Sequence, residues 1–134
     1  MAKAKIFLIA DNGFIRDLIK DRLTKEDYDV FVNSDTPDIL NIISSQAPDL
    51  IILDIAMNEL DGLDFGDKLS QFPATQNIPV IMISDKSEYN AIKQAIERVK
   101  AADYLVKPFK PDVLIWKVEA VLEDRSQQEP PPGE

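Results

Sequence analysis

Short, wholly apolar runs alternate along this chain with longer segments in which apolar residues return every three or four positions. The runs are residues 6–10, 30–32, 50–53, 80–83 and 104–106. Runs of this length without internal polar residues predict strands buried on both faces, as in the middle of a parallel sheet. Between them, Phe14, Ile15, Leu18, Ile19 and Leu23 predict a first amphipathic helix, with Arg16, Asp17, Lys20 and Asp21 outward. A second helix opens at Asp35-Thr36-Pro37 and turns Ile39, Leu40, Ile42 and Ile43 inward. Leu63, Phe65, Leu69 and Phe72 mark a third, ending near Pro73, and Tyr89, Ile92, Ile96 and Val99 a fourth. Pro111 starts a fifth that reaches about Glu123, with Leu114, Val118, Val121 and Leu122 inward. Five strands alternating with five helices, each connection long enough for a crossover, predict a doubly wound α/β domain. The last residues, 126–134, are polar and Pro-rich, which suits a disordered end or the start of a linker.

Composition narrows the chemistry. The 134 residues suffice for one domain with a real core. No apolar run is long enough to span a bilayer, and the N-terminus does not read as a signal peptide. The chain has no cysteine and no histidine. Disulfides, thiol catalysis, Ser-His triads and zinc sites built on those residues are therefore excluded. A net charge of −9 disfavours direct binding of a nucleic-acid backbone and suits a hard cation or a basic protein partner.

The polar residues that close the strands are the candidate site. The first strand leads into Asp11-Asn12, the third ends in Asp54, the fourth in Ser84 and the fifth leads into Lys107. In a parallel sheet these ends share one edge, where open α/β sheets bind ligands. Two acids, a hydroxyl and an ammonium on one edge can hold a divalent cation and seat a phosphoryl group beside it. Each residue also has a plainer role: Asp11, Asn12, Ser84 and Asp85 suit helix caps, and Lys107-Pro108 suits a loop. Asp54 is harder to place that way, because a carboxylate ending a buried strand is costly unless something compensates it.

The motifs Ile9-Ala-Asp11-Asn12, Leu53-Asp54-Ile-Ala-Met57 with Asp61-Gly62, Ile83-Ser84, and Asp103-Tyr104-Leu-Val-Lys107-Pro108-Phe109 together resemble a response-regulator receiver domain of two-component signalling. The resemblance covers residue 4 to about 124, giving a receiver domain over 1–124 and a tail over 125–134. It implies a flavodoxin-like five-stranded parallel sheet of order 2-1-3-4-5. It implies that Asp54 accepts a phosphoryl group from a sensor histidine kinase or phosphotransfer protein, in a cytoplasmic domain that catalyses only its own phosphorylation and dephosphorylation. It further implies that Asp11, Asn12, Asp54 and the backbone carbonyl of Ala56 hold Mg²⁺. Lys107 would contact the phosphoryl oxygens, Ser84 would be the switch hydroxyl and Tyr104 the switch aromatic.

Three departures follow from that resemblance. Asn12 stands where the family usually has a second acid, so weaker Mg²⁺ binding is expected. An alternative is thus a pseudo-receiver, a protein-binding module that is not phosphorylated. Asn58 replaces a common Pro, and Lys100-Ala101 a common Gly-Ala. An aspartyl-phosphate hydrolase of the haloacid dehalogenase type is disfavoured, since Asp54-Ile-Ala56 lacks that family's second acid. On the fifth helix, Val113, Trp116 and Ala120 lie roughly opposite the inward face. They make the helix 4–strand 5–helix 5 surface, Trp116 included, a candidate for a homodimer or partner contact.

Overall fold

The computed structural model describes residues 3–10, 13–33, 39–54, 62–85 and 89–128. Its strands are β1 (Lys5–Ile9), β2 (Asp29–Asn33), β3 (Leu50–Asp54), β4 (Val80–Ser84) and β5 (Asp103–Val106). They form one parallel sheet of order β2-β1-β3-β4-β5. The helices are α1 (Gly13–Lys25), α2 (Ile39–Gln46), α3 (Gly62–Gln71), α4 (Tyr89–Gln94) and α5 (Pro111–Gln128), and α4 continues as a π-helical turn, Ala95–Val99. This is the flavodoxin-like arrangement expected from the motifs. None of the described helices is long and apolar enough to cross a membrane.

The strands are apolar throughout because both faces are covered. Successive side chains of a strand point to opposite faces, and here they fill two separate layers. Ile6, Leu8, Leu50, Ile52, Ile81 and Ile83 meet Ile19 and Leu23 of α1 and Leu114, Ile115 and Val118 of α5. Phe7, Ile9, Ile51, Leu53, Val80 and Met82 meet α2, α3 and the π turn through Ile39, Ile43, Phe65, Leu69, Ala95 and Val99. Leu50, Ile51, Ile52 and Leu53 are wholly buried. Each contributes about 1.5–3 kcal/mol of transfer free energy, which makes β3 the axis of the fold.

The helices depart from expectation in four places. Phe14 is 77% exposed and Leu18 38%, so α1 buries only Ile19 and Leu23 fully. At about 100° per residue Phe14 lies roughly 140° and Leu18 roughly 100° from Ile19, beyond the contact stripe. Ile96 is 51% exposed rather than inward, because the π turn rotates it off the face of Val99. Val113 is half-buried against the core, whereas Trp116 is 65% exposed. Finally, α5 runs to Gln128, five residues past its expected end. The second helix is described from Ile39, so its expected opening at Asp35-Thr36-Pro37 lies outside the described residues.

Two side-chain bridges lock helices in place. Arg22 of α1 donates to Glu26 and to Asp112 of α5, both at 2.6 Å. The hydrogen bond to Asp112, then that to Glu26, raises the pKa of its guanidinium further. Lys117 of α5 donates to Asp103 of β5 at 2.9 Å. Glycine is required at one close approach. A Cβ on Gly66 of α3 would lie 2.5 Å from Cγ1 of Val99 in the π turn.

Candidate phosphoacceptor site

The site is set by sheet register. Leu53 aligns with Ile9, Asp54 with Ile83 and Ser84 with Val106. Asp54, Ser84 and Lys107 thus leave three adjacent strands at nearly one level, on the carboxyl edge. Asp54 is 2% exposed, held down by a strand with no polar residue before it. The Nζ of Lys107 donates to its Oδ2 at 2.8 Å. Lys107 lies one residue past β5, where its backbone N–H also donates to the Ser84 carbonyl at 2.7 Å. That bond carries the β4–β5 ladder one step beyond the strands and fixes the root of the lysine side chain. The Lys107–Pro108 peptide is cis.

Ser84 is buried at the end of β4. Tyr104 pairs in register with Met82 of β4, and its half-buried ring sits against the layer shared by α2, α3 and the π turn. Asp103, beside it, accepts hydrogen bonds from the Tyr104 backbone and from Lys117. Periodicity gave no signal for that Asp103–Lys117 pair, nor for the Gly66–Val99 contact.

The structure therefore brings Asp54 and Lys107 into direct contact and puts Ser84 on the adjacent strand end. Asp11, Asn12 and Ala56, the other expected metal ligands, lie outside the described residues. Among the described residues no three acids, histidines or cysteines cluster as a metal site. Asp54 itself is a hard oxygen donor at the ligand-binding edge, which fits a hard divalent cation.

Comparison with known proteins agrees with this fold. The sequence model of the response regulator receiver domain matches residues 6–119. The chain belongs to that family: it is a receiver domain of two-component response regulators. It is 33% identical to the sensory transduction protein BceR of Halalkalibacterium halodurans, over 88% of this chain and 49% of that protein. It is 32% identical to the phosphate regulon transcriptional regulatory protein PhoB of Pseudomonas aeruginosa, over 91% of this chain and 53% of that one. The chain spans about half the length of these curated relatives. Among solved structures, NtrX from Brucella abortus superposes with a TM-score of 0.84 at 35% identity, over 96% of this chain and 29% of NtrX. Receiver domains are signalling modules that generally bind Mg²⁺ at the phosphorylation site and interact with histidine kinases or phosphotransfer proteins.

Proposed function

We propose that Asp54 is the phosphoacceptor of this domain and that a kinase or phosphotransfer-protein phosphohistidine is the donor. The observation that carries the reading is the 2.8 Å contact between Lys107 Nζ and Asp54 Oδ2 at the end of a buried strand. A carboxylate oxygen of Asp54 attacks phosphorus in line, the P–N bond to the donor imidazole breaks, and that nitrogen keeps the electron pair. The product is an aspartyl phosphate. The Lys107 ammonium neutralises charge on the phosphoryl oxygens as it is transferred. Mg²⁺ would be held by Asp54 with Asp11, Asn12 and the carbonyl of Ala56, and would supply further charge neutralisation.

The new phosphoryl oxygens accept a hydrogen bond from Ser84, drawing the β4 end inward. Tyr104, on the neighbouring strand, then turns toward the space this opens, altering the surface made by α4, β5 and α5. That surface, with Trp116 exposed on it, serves a homodimer or partner protein. The domain works in the cytoplasm over residues 1–124, with 125–134 as tail or linker, and contacts no nucleic acid or membrane itself.

Asn12 favours a second reading, a binding module that is never phosphorylated. One experiment separates the two. The protein is incubated with Mg²⁺ and acetyl phosphate and read by intact mass. A single phosphoryl adduct, absent in Asp54→Asn, is expected; no adduct on the unaltered chain overturns the phosphoacceptor reading. Asn12→Asp is expected to tighten Mg²⁺ binding several-fold by restoring one negative charge.

A further inference from the structure

Gly66 and Gly13 differ in what the fold asks of them. A Cβ on Gly66 would drive into Val99, whereas a Cβ on Gly13 would lie 3.4 Å from its nearest neighbour, Nη2 of Arg16, which is an ordinary contact. Gly13 is the first residue of α1 and its backbone is not left-handed. Glycine is also a poorer helix former than alanine, so neither packing nor backbone accounts for it. Its neighbour does: Gly13 follows Asn12 and makes the one Asn-Gly pair of the chain. The other asparagines, Asn33, Asn41, Asn58, Asn77 and Asn90, precede Ser, Ile, Glu, Ile and Ala. Asparagine is thermolabile, because its short side chain reaches the adjacent backbone. A following glycine leaves the nitrogen it meets uncrowded. The local charge helps as well. The first N–H groups of a helix have no intrahelical acceptor and form its positive end. The Arg16 guanidinium, 3.8 Å from Asp17, lies beside Gly13. Both favour negative charge developing there.

We propose that Asn12-Gly13 is a self-modifying site: the backbone nitrogen of Gly13 converts the Asn12 amide into a carboxylate, supplying the acid that the motif resemblance expects at position 12. The Gly13 nitrogen gives up its proton and attacks Cγ of Asn12. The new N–Cγ bond closes a cyclic imide, the Cγ–Nδ2 bond breaks, and Nδ2 leaves as ammonia with the electron pair and the proton. Water then opens the imide. Opening at Cγ leaves an ordinary peptide bond and aspartate at position 12. Opening at the backbone carbonyl gives isoaspartate and a chain longer by one carbon. Water is the only co-reactant. β1 is paired on both sides and α1 is packed into the core through Ile19 and Leu23. The folded chain therefore accommodates the product that keeps the length of the link between them. The conversion itself rests on the residue pair, and its consequence rests on the phosphoacceptor reading, in which position 12 is a ligand of Mg²⁺. There the change adds one negative charge among hard oxygen donors and tightens the metal site. It runs one way, so the chain's response to Mg²⁺ rises with its age.

The test holds the full folded chain in warm neutral buffer, without Mg²⁺ or phosphodonor, and follows every asparagine by peptide mapping. Residue 12 is expected to convert at least tenfold faster than any other asparagine. Gly13→Ala is expected to slow the conversion at least tenfold, and to fold, since the added methyl makes only an ordinary contact. Conversion at residue 12 no faster than elsewhere, or as fast in Gly13→Ala, overturns the proposal and leaves the phosphoacceptor reading standing. In the folded chain aspartate is expected to exceed isoaspartate, and by more than in the same chain unfolded in urea. Isoaspartate as the main product overturns the proposal, because the acid would then sit on an altered backbone. The converted fraction that carries aspartate is titrated with Mg²⁺ by calorimetry beside the fresh chain and Asn12→Asp. It is expected to bind several-fold more tightly than the fresh chain. Unchanged affinity in both the converted fraction and Asn12→Asp overturns the consequence for the metal site, while the conversion, measured without metal, stands.

Discussion

Lys107 and Asp54 are 53 residues apart in the chain and 2.8 Å apart in space, ammonium nitrogen to carboxylate oxygen. Their side chains are 19% and 4% exposed, so the pair is shielded far better than a surface ion pair. Lys107→Met removes the ammonium from a buried carboxylate. A stability loss of roughly 2–4 kcal/mol is expected by urea unfolding, with phosphoryl uptake from acetyl phosphate slowed at least about a hundredfold. Unchanged uptake would show that the lysine only serves the fold.

Gly66 and Val99 form the closest approach between α3 and the π turn. A methyl group at position 66 would lie 2.5 Å from a methyl of Val99. Valine is β-branched and buried, so it cannot swing aside. Gly66→Ala is expected to cost roughly 1–3 kcal/mol, and Gly66→Ala with Val99→Ala to cost less than the sum of the two single changes. Strict additivity in urea unfolding would mean that the two residues do not meet in solution.

Tyr28 gives a pH dependence of known sign. It is 5% exposed, and burial, then the charges of Glu119 and Glu26, pushes its pKa up. The unfolded chain therefore ionises Tyr28 first. Its contribution is intact below the unfolded value near 10 and is lost as pH rises through the higher folded value. The unaltered chain should lose urea resistance above about pH 10, and Tyr28→Phe should flatten that decline.

Trp116 is 65% exposed and contributes little to the core. Trp116→Ala is expected to shift unfolding free energy by no more than about 0.5 kcal/mol. It should weaken self-association or partner binding, read by analytical ultracentrifugation before and after phosphorylation.

Much of this was legible in the sequence because burial imposes a period. The runs at 50–53 and 80–83 have no polar residue, which only a two-sided burial explains, and their polar ends fall on one edge once the sheet is parallel. That placed Asp54, Ser84 and Lys107 together before any coordinates. Ile96 was misplaced because its spacing from Ile92 and Val99 assumes 3.6 residues per turn, and one wider turn breaks the sum. Phe14 and Leu18 were misplaced because an apolar residue beside a contact stripe looks like one within it. The Gly66–Val99 contact joins two helices through the absence of a side chain, and periodicity does not register absences. The expected roles of Asp11, Asn12 and Ala56 rest on the motif resemblance.

The two apolar layers also constrain how the reactive edge could ever be altered. Each of the four apolar residues of β3 belongs to one layer or the other by odd or even position, and Asp54 closes the strand where that count stops. Inserting or removing one residue would exchange the layers and send the carboxylate to the wrong side of the sheet. The face on which the carboxylate emerges is therefore set by parity in the interior, and its level along the edge by the register with β4.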